Sequence, residues 1–282
     1  LKQHRDNDDV LVIDASKCFV KDGKQNKLRA CDIRRIADAV RLRSSISGFS
    51  RTVSRNEIRQ NGYNLNIPRY IDATSEGQSF DIYATVFGGI PNSEIDGLQP
   101  YWDAFPSLRN SLFVALQGKP YSQLCAADVK LAIAHNADVK AFEDAFAQAF
   151  KGLAGFMHSQ LINNTTNVNE LATLDLIANY IFNCLEGIAL VDKYTAYQAL
   201  ANNWTTIIND VDTLKLGGLD EARVVETAYK LVKKNDDEIE VPDGLKGRII
   251  PFHFVQQAKF QPQLQAIATM QQRMEAIGSE LD

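Results

Sequence analysis

Side chains able to do chemistry are dispersed in this 282-residue sequence. Carboxylates crowd in NDDVLVID, residues 7–14, and in KNDDEIE, residues 234–240. Two carboxylates can divide acid and base work where burial or mutual repulsion separates their pKa values, but both runs read as polar turns in which a solvated surface is expected. The glycine pairs in FGGIP and KLGGLD lack the spacing and the preceding strand of a phosphate-cradling loop. Neither a Gly-x-Ser-x-Gly elbow nor a His-Glu-x-x-His pair occurs. Cys18, Cys31, Cys125 and Cys184 stand far apart and read as reduced, mostly buried thiols. His4, His135, His158 and His253 are equally scattered, and no pair has ligand spacing. The sequence therefore offers no candidate catalytic, cofactor-binding or metal-ligating residue.

What remains is binding chemistry, concentrated in NGYNLNIPRYID, residues 61–72, with Arg51, Arg55 and Arg59 just before it and Arg69 within it. Two readings stand side by side. In one, Asn64 and Asn66 bond local backbone while Leu65, Ile67 and Tyr70 fasten a loop to the core. In the other, Asn66 and Arg69 face a ligand or partner.

The elements that must position these side chains are legible to different degrees. Residues 10–14 of VLVIDAS form an apolar run that predicts a buried strand, of the kind found in parallel sheets, with its neighbours outside this sequence. KDGKQNKLRA predicts a polar loop turning at Gly23, and residues 32–43 a helix with Ile33, Ile36, Ala37 and Val40 on one face. Ser54 and Glu57 have capping-box spacing and Asn61-Gly62 supplies a stop, so a helix of one or two turns is expected between them. Pro68 lacks an amide donor and pushes Ile67 toward extended geometry, which predicts an extended segment from Asn64 to Tyr70.

From residue 80 the pattern becomes helical, with Pro106 suited to a first helical turn. Val139, Phe142, Phe146, Phe150 and Leu153 make a phenylalanine stripe facing a core. Alternation in ARVVETAYKLV and again at Ile239 and Val241 predicts a β-hairpin near 223–241, with KNDD as its turn. Beyond Pro262, Ile267, Met270, Met274, Ile277 and Leu281 recur at heptad-seam spacing. Such a seam needs a facing helix, either from this chain between residues 170 and 210 or from a partner.

The fold class read from these patterns is mainly α, with a short N-terminal α/β remnant. Three stretches follow: 1–45 as an α/β tail, 46–79 as a connector, and 80–282 as a helical region ending in a coiled-coil-like helix. An apolar content of 45% suits a soluble globular protein with a real core. The longest apolar stretch is broken by Asp175, Asn179, Asn183 and Glu186, so no membrane span is predicted, and a cytoplasmic location follows. Net charge is −5, yet residues 1–70 hold 15 Lys and Arg against 8 Asp and Glu, while the rest hold 15 against 27. A basic third suits one-sided contact with nucleic acid, although Arg34, Arg35, Arg41 and Arg43 can equally solvate the outer face of a helix. With no initiator Met and a last helix that stops in mid-pattern, the chain reads as part of a longer protein.

VLVIDASKCFVKDGKQNKLRACDIRRIADAVRLR followed by GFSRTVSRNEIRQNGYNLNIPRYID resembles the region after the catalytic core in modification (M) subunits of type I restriction-modification systems. DIYATVFGGIP, YWDAFPSLRNSLF, LVDKYTAYQALANNW and GRIIPFHFVQ resemble later blocks in one branch of that family. The resemblance implies an N6-adenine DNA methyltransferase using S-adenosylmethionine, assembled with a specificity subunit and, for cleavage, a restriction subunit on double-stranded DNA. The family's Phe-x-Gly-x-Gly cofactor loop and Asn-Pro-Pro-aromatic tetrapeptide are absent from these residues, which implies an isolated chain that is inactive and binds no cofactor. On this reading Arg51, Arg55, Arg59, Asn66 and Arg69 are candidate DNA contacts. Ile267, Met270, Met274, Ile277 and Leu281 are candidates for the specificity subunit. The rival expectation is a non-enzymatic helical adaptor or scaffold.

Overall fold

The computed structural model describes residues 8–71, 81–234 and 237–281. The chain opens with β1 (Val10–Ile13), a short hairpin of β2 (Val20–Asp22) and β3 (Gln25–Lys27), helix α1 (Ala30–Leu42) and β4 (Ser50–Val53). Strand β1 ends one residue short of the expected bound, and its partner lies within the sequence: β4 pairs with it antiparallel, Val10 opposite Val53. This corrects the expected parallel neighbour. An apolar run identifies a buried strand but carries no information on the direction of its partner, and SRTV is too short and polar to announce itself. The polar loop at Gly23 is itself the β2–β3 hairpin, Gly23 taking the positive φ of 60° that its two-residue turn demands.

Helix α1 starts two residues earlier than its pattern suggested, because Asp32 accepts a hydrogen bond from the Arg29 backbone N–H at 3.0 Å and secures the first turn. The Cys31 N–H, another orphan of that turn, finds Gln198 Oε1 at 2.9 Å. Helix α2 (Arg55–Gln60) follows as expected, the Ser54 hydroxyl accepting the Glu57 N–H at 3.2 Å and Gly62 turning the chain at a φ of 63°.

The next elements are α3 (Ile82–Phe87), β5 (Ile90–Pro91), α4 (Asn92–Asp96), α5 (Gln99–Ala104), α6 (Leu108–Leu112), β6 (Phe113–Ala115) and β7 (Tyr121–Leu124). A three-stranded antiparallel sheet in the order β5-β7-β6 interrupts the helices. The helical pattern did not foretell it; Pro91 is tolerated because β5 is an edge strand. Pro106 stands before Ser107, outside α6, rather than in its first turn. Ile95, Trp102, Phe105, Leu108 and Leu112 form the core here, with the Trp102 indole N–H donating to the Ile95 carbonyl at 2.6 Å.

Helices α7 (Val129–His135), α8 (Ala137–Phe150), α9 (Leu153–Leu161), α10 (Glu170–Cys184) and α11 (Lys193–Gly217) follow. Of the phenylalanine stripe, Val139 and Phe142 pack on the Trp102 cluster, while Phe146 is exposed and leans on Phe150 at 4.9 Å between ring centroids. Val139, Phe142, Phe150 and Leu153 are all half-buried, so of the stripe Phe146 is the residue left outward.

Two compact units result, residues 1–156 with 171–203, and residues 157–170 with 204–282. The second carries the hairpin β8 (Val225–Lys234) and β9 (Asp237–Gly247), then α12 (Phe252–Lys259) and α13 (Gln261–Leu281). The hairpin runs past the expected end at residue 241. A register shift lets Asp243 and Gly244 oppose the single Ala228, and Gly244 takes a φ of 93°, so pairing resumes beyond Pro242. The tip of its turn lies outside the described residues. The architecture is mainly α with small antiparallel sheets, as the sequence indicated.

Among the described cysteines there is no disulfide. Cys18 and Cys31 are buried and burial pushes both thiols up, whereas Cys125 is exposed, against the expectation of mostly buried thiols. A maleimide at pH 7.5 is expected to label Cys125 first and the two buried thiols only on unfolding, because thiolate content and access set the rate. Peptide mapping by mass spectrometry checks the order; early labelling of Cys18 would contradict the packing around α1.

Candidate functional site

The connector is held by few but specific contacts. Tyr70 and Ile71 are buried with Val12, Val53 and Ile58, so the segment is fastened to the β1–β4 pair. The Tyr70 hydroxyl donates to the Asn64 carbonyl, and the Asn64 side chain accepts the Asn66 N–H at 2.9 Å, an Asx turn. Residues Ile67–Arg69 form a 3-10 turn rather than extended chain. Proline suits a first helical turn, where its missing donor costs nothing, and this wins over the extended preference it imposes upstream. Leu65 and Ile67, expected to anchor the loop, are exposed; Tyr70 alone of the three is buried.

The candidate arginines divide into two kinds. Arg51 grips both carboxylate oxygens of Glu57 at 2.8 and 3.0 Å, and Arg55 reaches Asp8 at 3.7 Å. Arg59 donates weakly to the Tyr63 hydroxyl at 3.4 Å, while Arg69 and Asn66 are exposed, Arg69 with no ion pair among the described residues. Ser45, Ser47, Ser50, Arg51, Thr52 and Tyr70 line an open hollow beside the connector. Its hydroxyls are partly committed: Ser50 Oγ donates to the Ser44 carbonyl at 2.7 Å, and Ser45 Oγ accepts the Thr52 N–H at 3.2 Å.

Arg34 and Arg35 overturn the solvated-face expectation. Arg34, with a side chain only 11% exposed, donates to Asp38 at 3.0 Å, Asp175 at 2.6 Å and Asn179 at 3.1 Å. Its guanidinium also lies 5.4 and 5.7 Å from the Phe182 and Tyr197 ring centroids. Arg35 pairs with Asp192 at 2.8 Å and lies 4.8 Å from the Tyr194 ring. These two arginines tie α1 to α10 and α11. Only the Arg34–Asp38 spacing of four hinted at this, since the other partners are more than a hundred residues away.

On α13, Ile267, Met270, Met274 and Ile277 are all exposed. The Leu281 side chain lies outside the described residues. Phe254 and Phe260 of and beside α12 are exposed as well. No group of three or more potential metal ligands forms among the described residues, and no described helix is long and apolar enough to cross a membrane.

Residues 1–79 match the model of the N-6 DNA Methylase family. Over this segment the chain is similar to methylase subunits of type I restriction enzymes, and the resemblance seen in its motifs stands there. The MpnII methylase subunit of Mycoplasma pneumoniae is 32% identical over 83 residues, 29% of this chain and 15% of that relative. The MjaVIII and MjaVII methylase subunits of Methanocaldococcus jannaschii are each 37% identical over 76 residues, 26% of this chain and 13% of each relative. The chain thus spans about a seventh of the length of these curated relatives. No solved structure matches it.

Proposed function

We propose that this chain serves a type I modification subunit that methylates adenine N6 in double-stranded DNA with S-adenosylmethionine. In that assembly it links the catalytic domain to the specificity subunit and helps hold the DNA, with a restriction subunit joining for cleavage in the cytoplasm. The observation that carries this reading is the family match over residues 1–79, which contains the whole connector and its arginines.

The residues beside the connector do not fit the cofactor. Their hollow offers no carboxylate for ribose hydroxyls. No step of methyl transfer is therefore assigned to these side chains, and catalytic groups are proposed to lie in another part of the subunit. What the connector can do is position DNA. A phosphate contact needs an exposed cation not already neutralised, which favours Arg59 and Arg69 over Arg51.

The test is a salt titration of DNA binding by the complete complex. Arg59→Ala with Arg69→Ala should weaken cognate and random DNA alike and flatten the plot of log affinity against log salt by about one unit per lost contact. Arg51→Ala should leave the slope alone, since its charge is spent on Glu57. An unchanged slope in the first variant would remove the phosphate role.

A further inference from the structure

In the unit of residues 157–170 and 204–282, the end of α9 and the second half of α11 flank a cleft of about 270 Å³, with Ile249 completing its lining. Met157, Leu161, Ile207, Val211 and Leu214 make its walls apolar. Two polar side chains, His158 and Asp210, share them.

Asp210 is the informative one. Its carboxylate makes no hydrogen bond or ion pair among the described residues, and burial pushes its pKa up with no offsetting contact. The cations next in sequence to the lining residues Leu214 and Ile249 are committed elsewhere. Lys215, further along α11, pairs with Asp212 at 2.8 Å and donates to the Val168 carbonyl at 3.3 Å. Arg248, next to Ile249, is held by Glu226 at 2.6 Å and by Glu221. A carboxylate partly removed from water without a partner costs stability, so a cation brought by a ligand would find an unmet demand.

We propose that this cleft binds a small organic monocation, an alkyl- or arylammonium whose apolar body fills the Met157–Leu161–Leu214 lining and whose ammonium meets Asp210. Such pockets draw affinity from apolar contact and selectivity from a few placed polar groups. The volume suits a body of several carbons rather than a drug-sized molecule. A neutral alcohol of the same length keeps the apolar contact but loses the charge pairing; a carboxylate is repelled.

Isothermal titration of the full chain with n-hexylammonium, 1-hexanol and hexanoate at pH 7.5 tests the assignment. Hexylammonium should bind at one site, at least about tenfold tighter than hexanol, with hexanoate undetectable, a tenfold step being the size of one modest polar interaction. Asp210→Asn, which removes the charge and keeps the shape, should abolish the preference for the ammonium while leaving hexanol binding unchanged. Equal affinity for hexylammonium and hexanol in the unaltered protein would overturn the proposal, as would an ammonium preference that survives Asp210→Asn.

Discussion

Replacing Arg34 by alanine is expected to lower the thermal midpoint of the unit containing α1 by about 6–12 °C. The effect turns on Asp38, whose side chain is 8% exposed and loses its most buried cationic partner. Removing one member of a buried pair costs about 3–5 kcal/mol because the remaining charge is left uncompensated. Asp38 keeps Arg41 at 3.0 Å and the Tyr194 hydroxyl at 3.4 Å, which argues for the low end, about 3 kcal/mol. A domain of this size shifts by about 2–4 °C per kcal/mol. The bridge to Asp175 adds little, since that carboxylate is 68% exposed and solvent screens it. Arg34→Lys should recover part of the loss, because an ammonium cannot reach Asp38, Asp175 and Asn179 with one planar fork. Removing both charges, with Arg34→Met and Asp38→Leu, should cost less than Arg34→Ala alone. A shift below about 2 °C for Arg34→Ala, under 1 kcal/mol, would mean that the Arg34 pairs contribute little to joining these helices.

Assembly should respond as sharply at the other end of the chain. Ile267→Asp with Met274→Asp is expected to leave the thermal midpoint of the isolated chain within about 2 °C, since surface changes stay within about 0.5 kcal/mol. The two side chains are 53% and 72% exposed, so little burial is lost. With the specificity subunit present, the same double variant should fail to co-purify. Full burial of each seam residue is worth roughly 1.5–3 kcal/mol, less the cost of ordering the helices, and a carboxylate in a desolvated seam is strongly disfavoured. Loss of the isolated fold would place the seam inside the chain after all. Normal assembly by the variant would remove α13 from the interface.

The binding residues were legible to unequal degrees. The NGYNLNIPRYID segment stands out by composition, and the Ser54 cap and the Asn61-Gly62 stop bound it by local rules. Which arginines remain available is a different matter. Arg51 grips Glu57 six residues away, whereas Arg34 reaches Asp175 and Asn179 across the unit.

By itself the sequence determined what short-range interactions decide: the cap and stop of α2, the alternation behind β8 and β9, and the helical spacing along α13, whereas the face of α1 that its apolar spacing selected, Ile33 and Val40, is exposed. Each depends on residues within a few positions of one another, so the pattern and its cause lie together in the chain. Tertiary structure alone decided that β1 pairs antiparallel with β4, that β5, β6 and β7 form a sheet among helices, and that Arg34 and Arg35 are consumed inside the unit. It also turned Leu65 and Phe146 outward and left Asp210 without a counter-ion among the described residues. Those outcomes depend on groups tens to more than a hundred residues apart, where burial and charge pairing are settled by whichever surfaces meet, and no local period records the meeting.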